Sequence, residues 1–361
     1  MVASPVSDGL VIQSHAGPYP VTFHHGVPSG SLGLPGAEPH FLIDATVARL
    51  YAAQLRMVLD HENTIVIESV EHNKSLRQLI PVFERLVRDR VRRDHVLIAI
   101  GGGIIQDITA FTASTLLRGV PWRFLPTTLL AQADSCIGSK SSINLDDTKN
   151  VLGTFYPPQH VHIHAGFLDT LEERDLRSGI GEILKVHAIE GKTAFDRLAA
   201  EFDALLGDRA TLLRYVRAAL SIKQRYIEAD EFDRGIRNIF NYGHSFGHAI
   251  ESATLYAVPH GVAVTMGMDM ANFIAVRRGL LPETHYQRMH PVLRRNYAGF
   301  AATAIPTDAL LGALMRDKKN TSTALRLIFP VGPDAEIQAV SVPADALFRS
   351  QAEQSLGTLA G

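Results

Sequence analysis

Five short β-rich runs alternate with helical patterns through the first half of the chain, and few folds accommodate that alternation. The runs are HFLIDA (40–45), NTIVIES (63–69), HVLIAIGGG (95–103), WRFLPTT (122–128) and HVHIHAG (160–166), with helices expected from about Thr46 to Leu59 and from about Ser75 to Arg92. Strands joined by crossover helices run parallel, which predicts an α/β domain with a Rossmann-like sheet. After Leu171 the periodicity changes to long amphipathic helices, roughly 174–190, 194–206, 209–229, 244–254, 261–278 and 307–316. The reading is therefore an α/β domain over 1–170 and a mostly helical domain over 171–361, with an active site in the cleft between them. A length of 361 residues favours two cores, and 46% hydrophobic residues supply material for both. The first thirty residues, rich in Gly, Pro and Ser, read as a loosely held lead-in with room for a hairpin.

Charge and cysteine content exclude several classes. With 35 basic against 37 acidic residues, a net charge of −2 and no long basic run, the chain lacks a nucleic-acid surface. The most apolar stretch, GVAVTMGMDMANFIAV (261–276), is interrupted by Asp269 and is too short to span a membrane. A single cysteine, Cys136, rules out an internal disulfide framework, and no secretory signal pattern opens the chain. The expectation is a cytoplasmic protein whose anionic ligand, if it has one, meets locally gathered cations.

Four segments carry chemistry. GGGIIQD (101–107) follows an apolar strand and opens a helix, so Gly102 and Gly103 would let a pyrophosphate approach a helix N-terminus, with Asp107 close behind. It is not GxGxxG, and alone it is a weak signal. Asp44 at an earlier strand end, Glu71 and Lys74 in VEHNKSL, and Thr127-Thr128 after another strand join it on the edge where dinucleotides bind, which points to a nicotinamide cofactor. The Gly/Ser-rich stretch DSCIGSKSSINLDDTKN (134–150) reads as a loop that presents Asp134, Lys140, Asn144, Lys149 and Asn150. In GEILK, Glu182 and Lys185 share a helical face. Gly179 and Gly181 beside them are easier to explain where another group approaches closely. NYGHSFGHAIE (241–251) would place Asn241, His244 and His248 on one helical stripe, with a third histidine in PHG (259–261), a set consistent with either a metal site or satisfied core residues.

Taken in order, GGGIIQDITAFTASTLLRG, LPTTLLAQADSCIGSKSSIN, KNVLGTFYPP, GEILK, RNIFNYGHSFGHAIE, PHGVAV and RDKK resemble the successive signatures of 3-dehydroquinate synthase and its sugar phosphate cyclase relatives. The resemblance runs from about Asp44 to Pro330. It implies NAD as cofactor and a Zn2+ or Co2+ ion held by Glu182, His244 and His260, with His248 as the acid/base histidine and Asn241 touching substrate. It further implies that Lys140, Lys149, Asn150, Lys185, Lys223, Arg237, Lys318 and Lys319 surround the phosphate and carboxylate of a sugar phosphate. Arg118 would reach the phosphate of a neighbouring subunit, so a homodimer is implied. The implied reaction converts 3-deoxy-arabino-heptulosonate 7-phosphate to 3-dehydroquinate and phosphate by oxidation, elimination, reduction, ring opening and aldol closure, leaving NAD+ unchanged overall.

Three positions depart from the family pattern. Its Gly-Gly-Lys reads Gly138-Ser139-Lys140, Gln106 replaces the Gly before Asp107, and Val262 replaces the Glu after His-Gly. These departures leave a sedoheptulose 7-phosphate cyclase as an alternative within the same chemistry. More distant alternatives are a metal-dependent polyol dehydrogenase, or a silent NAD-binding paralogue, against which the intact Glu182, His244, His248 and His260 argue.

Overall fold

The computed structural model describes residues 9–28, 37–146, 148–316 and 324–360. Contacts divide the chain into two compact units: Met1–Glu172 with Gln224–Phe232, and Glu173–Lys223 with Asp233–Gly361.

The first unit is built on a seven-stranded sheet. Its strands are β1 (Leu10–Ile12), β2 (Tyr19–His24), β3 (Pro39–Asp44), β4 (Thr64–Ile67), β5 (Val96–Gly101), β6 (Trp122–Pro126) and β9 (His160–His164), while β7 (Lys140–Leu145) and β8 (Thr148–Phe155) form a separate antiparallel pair. The sheet order is β1-β2-β9-β6-β5-β3-β4, and every pairing is parallel except β1 with β2. All six residues of β5 are buried, as expected of a continuous apolar run inside a sheet covered on both faces. From β3 the chain goes outward to β4 and then returns to the other side as β5, so the strand order reverses between β3 and β5. That switch point is where a parallel sheet opens a crevice for a ligand.

Helices α1 (Ala45–Leu50), α2 (Arg56–Leu59), α3 (Leu76–Arg88) and α4 (Gly103–Thr115) connect these strands. The single helix expected over 46–59 is two short ones, because the buried Tyr51 ends the first turn run and sends its hydroxyl to Gly166 O (2.9 Å) and Phe167 O (3.1 Å). Residues 9–28 of the lead-in are not loosely held either. Its hairpin pairs β2 in parallel with β9 and buries Ile12, Tyr19 and Val21. Nor is 134–150 a loop: Ala131–Ser135 forms a π-helical turn, and Lys140 to Phe155 is a hairpin.

The second unit comprises helices α5 (Glu173–Glu190), α6 (Lys192–Ala200), α7 (Ala204–Gly207), α8 (Arg209–Ala229, of which Gln224 onward belongs to the first unit), α9 (His244–Ala253), α10 (His260–Arg277), α11 (Glu283–Tyr297), α12 (Thr307–Met315) and α13 (Ala346–Ala360). An antiparallel pair, β10 (Ala324–Val331) with β11 (Glu336–Pro343), was not expected from the sequence, nor were α11 and α13. Helix α10 is the core of the unit, buried from Gly261 to Ala275. It crosses α5 at glycine on both sides. A Cβ on Gly181 would lie 1.9 Å from Gly261 O, and one on Gly261 would lie 1.8 Å from Ser178 O. No helix among the described residues is long and apolar enough to cross a membrane.

Candidate active site

At the switch point of the first unit, Asp44 is the last residue of β3, and its Oδ1 accepts hydrogen bonds from Thr46 N (2.6 Å) and Val47 N (3.1 Å) as the cap of α1. Across from it, Gly102 caps α4 and Gly103 opens it. A Cβ on Gly103 would meet nothing within 4 Å, whereas one on Gly102 would come within 3.0 Å of Thr128 Cγ2. The helix end thus presents backbone N–H groups to open space, the arrangement that binds a pyrophosphate. Thr127 N continues the β5–β6 ladder by bonding Gly101 O (2.9 Å), and Thr128 Oγ1 caps the next turn at Ala131 N (3.2 Å).

Behind the glycines the hairpin is tied to α4. Lys74 Nζ donates to Asp107 Oδ2 (2.7 Å), and Ser142 N donates to Asp107 Oδ1 (2.8 Å). Burial pushes the Asp107 carboxyl up, while Lys74 and Ser142 pull it down. Asn150, at φ 52°, is held by Ser142 Oγ on its Oδ1 (2.9 Å) and donates its backbone N–H to Asn144 Oδ1 (2.8 Å). Asn144 Nδ2 in turn reaches Glu71 Oε1 (2.8 Å), to which Lys149 Nζ is 3.9 Å distant. Glu71, Lys74, Asp107, Lys149 and Asn150 therefore meet in one polar network, linked by Asn144 and by Ser142, of which only Ser142 was not singled out in the sequence. Asp134 lies in the π-helical turn, while Lys140, at the start of β7, and Arg118, after α4, are exposed. Gln106 is used internally, bonding Ser135 O and the Ser135 hydroxyl at 2.6 Å each.

The second unit assembles the metal-type side chains. Glu182 on α5 is 1% exposed, and its Oε2 accepts from the equally buried Lys185 Nζ, one turn on. The other oxygen, Oε1, is buried and faces His244 Nε2 at 3.6 Å and His260 Nε2 at 3.3 Å. His244, His248 and His260 each offer one nitrogen within 4.8 Å of the others. The close crossing of α5 and α10 at Gly181 and Gly261, which leaves no room for a Cβ at either, brings Glu182 and His260, the next residue on one helix and the preceding one on the other, into this group.

The charges are mutually adjusted. Burial acts against the Glu182 carboxylate, yet Lys185, His244 and His260 hold it well below the usual range. Burial, with Lys185 next, keeps His244 neutral. Burial also disfavours a charged His260, but Glu182 and Glu251 outweigh it and push its pKa up to about 10. Glu251, on α9, bonds His260 Nδ1 at 3.0 Å and so leaves Nε2 turned to Glu182. A buried carboxylate oxygen set between two imidazole nitrogens, with a second carboxylate behind one of them, fits a divalent ion of the zinc or cobalt type.

One expectation needs correction. Asn241 does not share a helical stripe with His244 and His248: it ends a 3-10 turn (Ile236–Asn241), and Gly243, at φ 78°, breaks the chain before α9 begins. A side chain at Gly243 would meet Val264 O and Met268 Cγ at 2.6 Å, so packing against α10 imposes the break. Asn241 Nδ2 instead bonds Asn238 O (3.0 Å). Arg237 is on the same turn, and Lys223 is buried near the end of α8. Lys318 and Lys319 lie outside the described residues. Glu251 went unassigned in the sequence, although it stands in the quoted histidine stretch one turn beyond His248.

Two family models match in tandem: 3-dehydroquinate synthase N-terminal over residues 64–178 and 3-dehydroquinate synthase C-terminal over 179–320. The chain belongs to the 3-dehydroquinate synthase family. Within that family it is 38% identical over 302 residues to the 3-dehydroquinate synthase of Teredinibacter turnerae, covering 80% of this chain and 82% of that one. It is 35% identical to the 3-dehydroquinate synthase of a Sulfurovum species, with 80% of each chain covered. Among solved structures, 2-epi-5-epi-valiolone synthase from Streptomyces hygroscopicus, with NAD+ and Zn2+ bound, superposes with a TM-score of 0.80 at 29% identity, covering 95% of this chain and 96% of that one. A 2-deoxy-scyllo-inosose synthase shares the fold at a TM-score of 0.83 and 22% identity, over 96% of this chain and all of that one.

Proposed function

We propose that this family member is a 3-dehydroquinate synthase, an NAD- and metal-dependent cyclase that converts 3-deoxy-arabino-heptulosonate 7-phosphate to 3-dehydroquinate and phosphate. The observation that carries the reading is the buried Glu182 Oε1 set between His244 Nε2 and His260 Nε2, in a chain 38% identical to a protein of that name. When bound, NAD+ takes up and returns a hydride, and the divalent ion acidifies a coordinated hydroxyl.

The chain's own residues supply position and protons. Gly102 and Gly103 at the start of α4 would seat the pyrophosphate, with Asp44 and the Lys74–Asp107 pair beside the dinucleotide. Glu182, His244 and His260 would hold the ion. Lys185 fixes the second oxygen of Glu182, and Glu251 fixes the tautomer of His260. His248, exposed on α9 with its ring centroid 5.3 Å from that of His244, is the group placed to carry protons to and from substrate hydroxyls. Lys149, Asn150 and Lys140 would bind the phosphate with Asp134 nearby, and Arg118 would do so across a homodimer. Lys223, Arg237, Asn241, Lys318 and Lys319 would meet the carboxylate. Four cations and an amide gathered for one ligand favour a substrate that carries a carboxylate as well as a phosphate, which a heptulosonate does. A soluble cytoplasmic setting suits such a phosphorylated substrate.

The likeness to a 2-epi-5-epi-valiolone synthase favours, as a second reading, cyclisation of sedoheptulose 7-phosphate or a related sugar phosphate. Of the departures from the family pattern, Val262 is fully buried in α10 and Ser139 is 1% exposed. Phosphate release from both sugars at equal NAD+ and metal separates the readings. Faster turnover of the heptulosonate is expected, and faster turnover of sedoheptulose 7-phosphate overturns the substrate while leaving the cyclase chemistry in place.

A further inference from the structure

Helix α10 opens at His260 without a cap of its own, because Pro259 at the capping position makes no side-chain hydrogen bond. The first N–H groups of a helix have no partner within it, and a buried one must find a partner elsewhere. Gly261 N, buried in that first turn, donates to Ser178 Oγ of α5 at 2.9 Å. Ser178 stands one turn before Glu182, and Gly261 directly follows His260. This buried hydrogen bond therefore ties the helix that carries one candidate ligand to the helix that carries another. A second tie lies beside it. Thr265, one turn further along α10, donates its hydroxyl proton to Gly261 O (2.8 Å) and accepts from Asn296 Nδ2 of α11 (3.0 Å). The same amide nitrogen donates to Arg177 O of α5 (3.1 Å), so both of its protons are used and Asn296 bridges α5 and α10. Arg177 closes the circle by donating from Nη1 to Arg295 O near the end of α11 (2.7 Å). Thr265 and Asn296 are wholly buried and Ser178 nearly so.

On the reading that Glu182, His244 and His260 hold a divalent ion, we propose that Ser178, Thr265 and Asn296 are positioning residues of that centre, which fix how far α10 slides along α5 and so set His260 against Glu182. Burial is non-directional, so glycine packing brings the two backbones close without fixing their register. Hydrogen bonds do fix it, because they weaken steeply once donor and acceptor are misaligned. Water does not replace a lost partner inside a buried crossing, so a slip of α10 that broke the Ser178 or Asn296 bonds would strand polar groups. The tolerance of about 0.5 Å that a ligand set demands is thus met by hydrogen bonds placed at the ligand end of α10. Helices α10 and α11 are joined again more than two turns away, where Tyr297 Oη and His290 Nδ1 meet Asp269 Oδ2. That far junction holds the same two helices without bearing on His260, and it separates positioning from stability.

Metal affinity measured beside stability tests this. Ser178→Ala deletes one oxygen and Thr265→Val exchanges a hydroxyl for a methyl group, so both variants should fold. Zn2+ affinity, by competition with a chromophoric chelator, should fall about 10- to 100-fold in each, and the visible d–d absorption of the Co2+ form should change in shape. In the metal-free chain, exchange of the Gly261 amide proton should quicken in Ser178→Ala. Thr265→Ser, which keeps the hydroxyl, should return affinity and spectrum to native. Tyr297→Phe, which weakens the far junction, should lower the unfolding midpoint yet keep the native affinity and spectrum. Native affinity and spectrum in Ser178→Ala and Thr265→Val overturn the proposal, as does an equal affinity loss in Tyr297→Phe or no recovery in Thr265→Ser. A native chain that holds no Zn2+, or Zn2+ binding that survives His244→Ala undiminished, instead overturns the metal reading and the proposal with it.

Discussion

Replacing Gly181 with alanine puts a single methyl group where two helices leave no room for it. The new Cβ would stand 1.9 Å from Gly261 O and 2.7 Å from Thr265 Oγ1, and restoring a 3.0 Å separation from the carbonyl demands a displacement of about 1.1 Å. The obstacle is backbone of a helix buried along nearly its whole length, so no rotamer change relieves it. Overpacking of that kind costs about 1–3 kcal/mol and the upper end is expected here. The functional consequence is larger, because Glu182 follows Gly181 and His260 precedes Gly261. An ion tolerates positional errors of about 0.5 Å in its ligands, whereas Glu182 Oε1 and His260 Nε2 start 3.3 Å apart and would separate further. Metal affinity should fall by at least the 10- to 100-fold seen when a group supporting a ligand is lost. Urea unfolding of the metal-free chain gives the first quantity, and competition with a chromophoric chelator gives the second. A variant whose stability falls while its metal affinity stays native would refute the idea that this helix crossing sets the ligand geometry.

Other expectations follow from the same site. His248→Ala should retain metal and lose about 10²- to 10⁴-fold in kcat, whereas His244→Ala should lose the metal, as elemental analysis and steady-state rates will distinguish. Glu251→Gln should weaken metal binding about 10- to 100-fold without touching the ion, and wild-type affinity in that variant would remove Glu251 from the account. Because the Glu182 carboxylate is held below its unfolded value, its stabilisation of the metal-free chain is complete above about pH 4.5 and is lost as pH falls through the folded value. Lys185→Met should unfold the metal-free chain about 3–5 kcal/mol more easily at neutral pH, by stranding the 1% exposed carboxylate. Gly103→Ala should leave the unfolding midpoint nearly unchanged, since its Cβ meets nothing within 4 Å, yet should weaken NAD+ binding by calorimetry.

The parallel sheet was legible because buried strands are continuous apolar runs: Val96–Gly101 and Pro39–Asp44 need no tertiary information to be recognised. The helix bounds of α5, α8, α9 and α10 were also close to those read from apolar periodicity. What escaped had physical reasons. The hairpin at Lys140–Phe155 is exposed over most of β8, so its strands lack an apolar signature and are held instead by Asp107 and Lys74 from elsewhere in the chain, which Ser142 and Asn144 of β7 meet through their backbone N–H groups. The break at Gly243 is imposed by α10, and a spacing of three residues between Asn241 and His244 could not reveal it. Of the site, Glu182, His244, His248 and His260 were visible by type and order, while Glu251 acquires its meaning from the 3.0 Å contact to His260 that folding alone creates.

The central claim is that one chain oxidises and then reduces the same substrate, so that the cofactor is returned at each cycle. The most direct measurement supplies one equivalent of NAD+ per chain, with Zn2+ and a large excess of 3-deoxy-arabino-heptulosonate 7-phosphate, and follows phosphate and the absorbance of NADH together. Many equivalents of phosphate should appear with 3-dehydroquinate while NADH stays at or below one equivalent per chain. Release that stops after a single equivalent, with NADH rising in step, would contradict the account and identify a dehydrogenase.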